Sequence, residues 1–230
     1  MNRIIITTLA IVFVFGCEVP GEKQNPYDLE IISFTEAYEH TVAENPAKQM
    51  LDIAREIPGI TLDIRYATTN NFTGVVMYPE ARAFARKPVV EALKSVQAEL
   101  NAMGLGLKIF DAYRPYATTL KFYEVYPDTN YVAAPWKGSR HNRGCAIDLT
   151  IIDLQSGAEL EMPTPYDDFT EKAWHNYTEL SEEALKNRAL LRDVMTRHGF
   201  EILDSEWWHY DYQGWKAYEL MDLSFEELSN

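Results

Sequence analysis

The sequence predicts an α+β fold with a mostly antiparallel sheet flanked by helices. Two long segments, residues 88–103 and 181–198, repeat apolar residues at intervals of three or four, as an amphipathic helix does. Several shorter segments alternate apolar and polar residues or consist of β-branched and apolar residues, which favours strands. Helices grouped among several mostly short strands are typical of an α+β domain.

The two long predicted helices have recognisable ends. Pro88 suits the first turn of the earlier helix, because no N–H donor is needed there, and Gly104 ends that helix. Ser181 can cap the N-terminus of the later helix with its hydroxyl, and Gly199 follows its last turn. Residues 115–125 predict a shorter helix between these two.

The predicted strands are short, and turn-forming residues separate them. They cover residues 60–66, 107–113, 145–153, 200–203 and 207–212. Residues 159–162 are expected to return alongside residues 145–153 as the second strand of a hairpin.

The N-terminal segment has the layout of an export signal. Arg3 precedes an apolar run over residues 4–15, which is too short to span a bilayer comfortably. A small residue followed by Cys17 resembles the lipobox of bacterial lipoproteins, whose cysteine becomes the lipidated N-terminus. Phe15 is bulkier than the usual residue of that motif, so a conventionally cleaved signal or an uncleaved membrane anchor is the alternative.

These features divide the chain into three parts. Residues 1–17 are a lipoprotein-type signal peptide, residues 18–47 a polar tether and lead-in, and residues 48–230 the folded domain. The protein is then expected to be exported to the periplasm or cell envelope, and to meet the membrane only through a lipid on Cys17. Lipidation of Cys17 would leave Cys145 without a disulfide partner in the mature chain.

Composition and charge exclude two broad classes of protein. Hydrophobic residues make up 47% of the chain and aromatic residues 13%, which is enough for a sizeable core and excludes a fully disordered protein. The formal net charge at pH 7 is −14, and no run of Lys and Arg offers a local exception. Nucleic acid is therefore not expected as a partner.

Two short segments combine histidines with acidic residues. The first, SRHNRGCAIDLT, contains His141 and Asp148, and the second, SEWWHYDY, contains Glu206 and His209. A catalytic zinc ion takes three protein ligands from His, Asp and Glu, and it keeps a fourth position open for water. His141, Asp148 and His209 are therefore candidate ligands for one zinc ion per chain, and Glu206 is left as a base for the water.

The predicted strands constrain how these side chains can meet. Because side chains alternate along a strand, Asp148 points into the site while Cys145, on the other face, points away. Glu206 and His209 are three residues apart, which places them on opposite faces of an ideal strand. We therefore predict that Glu206 lies in a loop or bulge just before the last strand.

Each of these residues also has an interpretation without a metal. A lone histidine such as His141 is more often a surface or core residue than a ligand, and His209 beside Trp208 could serve aromatic packing. Asp148 is the most informative, because a buried carboxylate is costly unless a partner or a metal compensates its charge. The spacing alone is only moderately specific for zinc.

Five segments together resemble a known peptidase family. S-x-H-x-x-G-x-A-x-D at residues 139–148 and E-x-W-H at residues 206–209 resemble the zinc D-alanyl-D-alanine peptidases, a superfamily that includes D,D-carboxypeptidases and the Hedgehog-type domain. IRYATTNNFTG, DAYRP and MPTPYDDF, at residues 64–74, 111–115 and 162–169, are similar to its dipeptidase branch, known from vancomycin resistance. The similarity covers about residues 49–212 and implies the α+β fold of this superfamily.

The resemblance implies a role for each matched residue. Zinc would bind the three candidate ligands named above, with Glu206 as general base and Arg114 stabilising the transition state. Ser139 and Asp167 would help to hold the substrate, with the Asp167 carboxylate suited to a free amino terminus. Asp168 is the alternative to Asp167, because the two carboxylates are adjacent.

The implied activity is zinc-dependent hydrolysis of D-alanyl-D-alanine, a small D-amino-acid dipeptide, to two D-alanines in cell-wall metabolism. One alternative is a D,D- or L,D-carboxypeptidase or endopeptidase that acts on longer peptidoglycan peptides. A second alternative is a non-catalytic, metal-stabilised binding domain, which would need neither Glu206 nor Arg114. Arg114 also has a structural interpretation, as an ion pair with Asp111.

Overall fold

The computed structural model describes residues 23–229, and in this part the chain forms five α-helices and nine strands. The helices are α1 (Thr35–Glu44), α2 (Ile53–Glu56), α3 (Lys87–Asn101), α4 (Tyr116–Val125) and α5 (Glu182–Arg197). The strands are β1 (Ile31–Ile32), β2 (Met50–Asp52), β3 (Thr61–Leu62), β4 (Phe84–Arg86), β5 (Leu105–Asp111), β6 (Ala146–Asp153), β7 (Phe200–Leu203), β8 (Glu206–Tyr212) and β9 (Leu220–Met221). The predicted signal segment 1–17, with Cys17, lies outside the described residues.

A five-stranded sheet forms the centre of the fold, in the order β3-β5-β6-β8-β7. β3 runs parallel to β5, and every other neighbouring pair in this sheet is antiparallel. Helices α3 and α5 pack against the sheet and against each other. The prediction of an α+β fold with a mostly antiparallel sheet flanked by helices is confirmed.

The alternation of side chains along β6 separates the core from the candidate site. Ile147 and Leu149 are fully buried in the hydrophobic core, together with Cys145 just before the strand. Burial of each such aliphatic side chain contributes roughly 1.5–3 kcal/mol, so this face of β6 is firmly fixed to the core. Asp148, between Ile147 and Leu149, must therefore point to the opposite face, as predicted.

Both long helices lie within two residues of their predicted bounds, and the expected capping contacts are present. The Ser181 hydroxyl accepts a hydrogen bond from the backbone N–H of Ala184 at 3.0 Å, which caps α5. Gly199 follows α5 with φ of 88°, a left-handed conformation that glycine adopts without steric cost.

Two predicted strands are shorter than the sequence pattern indicates. Within residues 60–66 only β3 is a strand, and a 3₁₀ turn at Arg65–Ala67 follows it. The Tyr66 carbonyl there accepts from the N–H groups of Met77 and Tyr78, at 2.8 and 2.9 Å, so this backbone is bonded outside the sheet. Residues 159–162 make a single bridge, from Glu159 to Ile152, and the Glu161 carbonyl accepts from the Asn187 side chain rather than from a strand.

Regular structure begins ahead of the predicted domain boundary at residue 48. β1 pairs in parallel with β9, and α1 follows it without burying a side chain. The Tyr38 hydroxyl of α1 accepts a hydrogen bond from the Met50 N–H at 2.7 Å. The lead-in is therefore attached to the domain along part of its length. No helix within residues 23–229 is both long enough and apolar enough to span a bilayer.

Candidate metal centre and active site

The three candidate metal ligands meet at the site-facing side of β6. Asp148 and His209 are register partners on the antiparallel strands β6 and β8, and Asp148 Oδ1 lies 2.9 Å from His209 Nδ1. His141 comes from the 3₁₀ turn His141–Arg143 just before β6. Its Nε2 lies 3.3 Å from His209 Nδ1 and 3.5 Å from Asp148 Oδ1. Gly144, with φ of 68°, lets the chain turn from His141 into the strand.

These separations fit a zinc ion. Two ligand atoms about 2.1 Å from a tetrahedral zinc ion are about 3.4 Å apart. The observed separations of 2.9, 3.3 and 3.5 Å lie close to that value, so small side-chain adjustments would bring all three atoms to one ion. Two imidazoles and a carboxylate are also the kind of ligand set that leaves a catalytic zinc one open position.

Hydrogen bonds on the far side of each candidate ligand fix the atom that faces the centre. His141 Nδ1 donates to the Ala112 carbonyl at 2.7 Å, which leaves Nε2 for the centre. His209 Nε2 donates to Asp211 Oδ1 at 3.0 Å, which leaves Nδ1. Such outer contacts set the tautomer and the ring orientation of metal-binding histidines.

The charged groups of this cluster shift one another's pKa values. Burial alone would raise the pKa of Asp148, but the His141 and His209 imidazoles outweigh it and lower that pKa. Burial alone would lower the pKa of His209, but hydrogen bonds to Asp148 and Asp211 outweigh it and raise that pKa well above its usual value. Metal binding requires a deprotonated carboxylate and a free ring nitrogen on each imidazole, so a metal ion competes with protons at this cluster.

Glu206 reaches the same side of β8 as His209 because the pairing of β7 with β8 is irregular. Leu203 pairs with Glu206 and Ile202 with Tyr210, so three residues of β8 bulge between two adjacent residues of β7. The predicted bulge is present, but Glu206 lies within β8 rather than ahead of it. Its Oε2 is 4.0 Å from His209 Nδ1, and burial raises the pKa of this carboxyl despite the opposing effect of His209.

Arg114 has a firmly held guanidinium that also lines the cavity of the site. Its Nη2 donates to Asp111 Oδ2 at 2.6 Å, Nε lies 3.4 Å from the Tyr78 hydroxyl, and the group stacks on the Phe122 ring. The ion pair with Asp111, the structural alternative for Arg114, is therefore present. It does not use the whole guanidinium, because Nη1 has no hydrogen-bond partner within residues 23–229.

The predicted substrate-binding residues line the same cavity, whose volume is about 560 Å³. Asp167 has φ of 63°, a strained backbone conformation for a residue other than glycine, and its two carboxylate oxygens lie 3.1 and 3.0 Å from the Tyr66 hydroxyl. Burial, and then the charge of Asp148, raises the pKa of Asp167 well above its usual value. Asp168 does not line this cavity and accepts instead from the N–H of Thr170.

All seven predicted site residues of the described part of the chain line this one cavity, namely Arg114, Ser139, His141, Asp148, Asp167, Glu206 and His209. The eighth predicted site residue, Cys17, lies outside the described residues, so its lipidation stays a prediction.

Sequence reasoning missed several residues that hold the site in place. The Tyr166 hydroxyl donates to Asp148 Oδ2 at 2.9 Å, and the Tyr66 hydroxyl contacts Asp167. No local pattern connects these pairs. The contact of Asp211 with His209 could have been predicted, because Asp211 follows His209 by two residues and so lies on the same face of the strand.

Comparison with known proteins identifies the family. A family model described as D-ala-D-ala dipeptidase matches residues 46–226. The chain belongs to this family. It is 34% identical to a D-alanyl-D-alanine dipeptidase of Escherichia coli over 177 residues, which cover 77% of this chain and 91% of that protein. It is 33% identical to a D-alanyl-D-alanine dipeptidase of Enterococcus faecalis over 172 residues, which cover 66% of this chain and 85% of that protein.

A solved structure described as VanYB in complex with D-alanine-D-alanine is also similar. Its sequence identity is 16% and its TM-score 0.39, over 59% of this chain and 75% of that chain.

Membership of the family makes the chain a zinc-dependent metallopeptidase, a hydrolase of small peptides. This agrees with the buried group of His141, Asp148 and His209, whose ligand atoms all lie within 4.8 Å of one another.

Proposed function

We propose that the chain hydrolyses D-alanyl-D-alanine to two D-alanines, with one zinc ion bound by His141, Asp148 and His209. The observation on which this depends is the convergence of Nε2, Oδ1 and Nδ1 of these residues within 3.5 Å of one another. The relatives described above are D-alanyl-D-alanine dipeptidases and align over most of the chain, which supports the dipeptide as substrate.

Bound zinc supplies Lewis-acid chemistry, because it polarises a carbonyl group and makes water acidic enough to act as a nucleophile near neutral pH. Glu206 is the group for the proton transfers. Its carboxylate lies beside His209 without a hydrogen bond to Asp148, so it is able to accept a proton from the attacking water and to return it to the leaving amine. Burial raises the pKa of Glu206, which brings that pKa closer to neutral pH, where a general base exchanges protons most effectively.

Arg114 suits the negative charge that develops on the carbonyl oxygen of the scissile bond. Asp111 and Tyr78 hold the guanidinium, so its free Nη1 is oriented before substrate arrives. A preorganised donor of this kind contributes on the order of 3 kcal/mol to the stability of a transition state.

Asp167 and Ser139 suit the two charged ends of a dipeptide. The Asp167 carboxyl is buried near another carboxylate, and a substrate ammonium group would add positive charge that favours its ionised form. Ser139 Oγ accepts from the His141 N–H at 3.2 Å, which leaves the hydroxyl proton free to donate to a substrate carboxylate.

The proposal is tested with purified protein, D-alanyl-D-alanine, and a peptidoglycan pentapeptide that ends in D-alanyl-D-alanine. We expect release of D-alanine from the dipeptide, much slower cleavage of the pentapeptide, loss of activity with a chelator, and recovery on addition of zinc. Faster cleavage of the pentapeptide would favour a carboxypeptidase. Binding of zinc without cleavage of either peptide would favour a binding domain.

We also propose that the protein is exported to the cell envelope and lipidated at Cys17. The short apolar run over residues 4–15 and the small residue before Cys17 support this. In a bacterial host fed an alkyne-tagged fatty acid, the chain should become labelled. Cys17→Ser should abolish the label, whereas Cys145→Ser, a change at the chain's other cysteine, should not. An unlabelled wild-type chain would indicate a different signal.

A further inference from the structure

Asp211 makes a contact behind the candidate metal centre that the proposed reaction does not use. It lies on β8 two residues after His209, pairs in register with Ala146 of β6, and is 4% exposed. Its Oδ1 accepts from His209 Nε2 at 3.0 Å. The two residues therefore share one face of the strand, and the imidazole lies between Asp211 and the centre.

The second oxygen of Asp211 joins this strand to the turn that holds the other histidine. Asp211 Oδ2 lies 3.1 Å from Arg140 Nη1, and Arg140 directly precedes His141. The Arg140 guanidinium also stacks on the Trp215 ring, 5.0 Å from its centroid. One carboxylate thus contacts a histidine of β8 and the residue next to a histidine of the 3₁₀ turn.

We propose that Asp211 is a positioning residue for the metal, and that Arg140 orients Asp211 for this role. This inference rests on the zinc site proposed above. Asp211 keeps the proton of His209 on Nε2 and fixes the rotation of the ring, so Nδ1 presents its lone pair to the centre. Arg140 holds the carboxylate of Asp211 in the orientation in which Oδ1 accepts the hydrogen bond from the N–H of His209 Nε2.

A purely structural ion pair between Asp211 and Arg140 makes a different prediction. In that case, loss of the carboxylate would lower stability but would leave the zinc affinity of the folded protein unchanged. Zinc affinity is therefore the deciding measurement, obtained by competition with a chromophoric chelator. Metal-free protein, its folding verified by circular dichroism, provides the starting material.

Asp211→Ala should weaken zinc binding by about 10-fold to 100-fold, the range for loss of an outer partner of a metal-binding histidine. Asp211→Asn, which keeps the size of the side chain, should weaken it less and decides the question if the alanine variant does not fold. Glu201→Ala is the matched control, because Glu201 is the exposed register partner of Asp211 on β7. Affinity within twofold of wild type in a folded Asp211 variant would overturn the proposal.

Cobalt(II) provides a second readout that does not depend on catalysis. The visible absorption bands of the cobalt-substituted Asp211→Ala protein should shift relative to wild type, whereas those of Glu201→Ala should not. At saturating zinc, the KM of Asp211→Ala for the dipeptide should stay within twofold of wild type. A large increase in KM would instead indicate a direct role in substrate binding.

The contribution of Arg140 is tested by combining variants. Arg140→Gln should weaken zinc binding several-fold in the wild-type background and cause no further loss in Asp211→Ala, because its effect passes through that carboxylate. Additive losses would show that Arg140 acts independently. If the wild-type protein binds zinc tightly but does not cleave D-alanyl-D-alanine, the proposed function fails while these affinities still decide the role of Asp211.

Discussion

Glu206 and His209 point to the same side of β8 although three residues separate them along the strand, and Glu206 Oε2 lies 4.0 Å from His209 Nδ1. The bulge opposite Ile202 and Leu203 makes this possible, because it removes the strict alternation of side chains over Trp207 and Trp208. The backbone of this bulge therefore brings the Glu206 carboxylate next to the candidate metal centre.

The first prediction concerns this carboxylate. Glu206→Gln keeps the shape of the side chain but cannot accept a proton, so kcat should fall by about 10²-fold to 10⁴-fold. The zinc content should stay at one ion per chain, because Glu206 is not a proposed ligand. Kinetics with D-alanyl-D-alanine and metal analysis of the same sample provide the check. A variant that keeps half of the wild-type kcat would rule out Glu206 as the base.

The second prediction concerns Arg114. Arg114→Lys keeps the charge but loses the planar fork, so it is unable to contact Asp111 and the substrate in the same geometry. We expect kcat to fall by about 10²-fold to 10³-fold with a small change in KM. The control is Arg65→Lys, because Arg65 pairs with Asp63 and stacks on Phe110 outside the cavity. Equal losses in both variants would indicate a general effect on folding rather than on the transition state.

Residue patterns alone predicted the parts of this site that lie near one another in the chain, whereas the roles of Arg114, Ser139 and Asp167 came from the family resemblance. His141 lies in the turn just before β6 and Asp148 lies in β6. The face of Asp148 followed from the apolar residues on either side of it. The early end of β3 was not predictable, because the Tyr66 carbonyl accepts from the N–H groups of Met77 and Tyr78, which lie beyond the following loop. Local patterns specify strands and faces, whereas contacts between distant residues decide where a strand ends.

Contacts that orient a ligand were harder to predict than the ligands. Asp211 could be placed on the face of His209 from its spacing, but its second partner, Arg140, comes from a different segment. Tyr166 reaches Asp148 from a loop without regular structure. Neither Arg140 nor Tyr166 has a spacing relative to its partner that the sequence alone could reveal.

The third prediction concerns the reactivity of Cys145. Burial raises the pKa of its thiol to about 12, although Arg86 and Arg143 lower it in part. The nucleophilic thiolate is then scarce at neutral pH, and the core covers the sulfur. In a Cys17→Ser variant, iodoacetamide should leave the native protein unmodified and label one cysteine after denaturation. Rapid labelling of the native protein, detected by mass spectrometry, would contradict the burial of this side chain.

The last prediction concerns stability in acid. Burial, followed by the nearby charges of Arg188 and Arg192, lowers the pKa of His175 from its ordinary value of 6.5 to about 4. As the pH falls, the unfolded chain therefore takes up a proton on His175 before the folded chain does. The contribution of neutral His175 to stability is full above about pH 6.5 and is lost progressively down to about pH 4.

His175→Phe removes this titration and keeps a ring next to Tyr210. Between pH 7 and pH 4, the wild-type protein should lose on the order of 2–3 kcal/mol more unfolding free energy than the variant, a figure reduced for the partial exposure of the ring. Urea unfolding of both proteins with a chelator present measures this difference and excludes the separate effect of zinc release in acid. If the unfolding free energies of the two proteins change equally with pH over this range, His175 has the same pKa in the folded and unfolded chains.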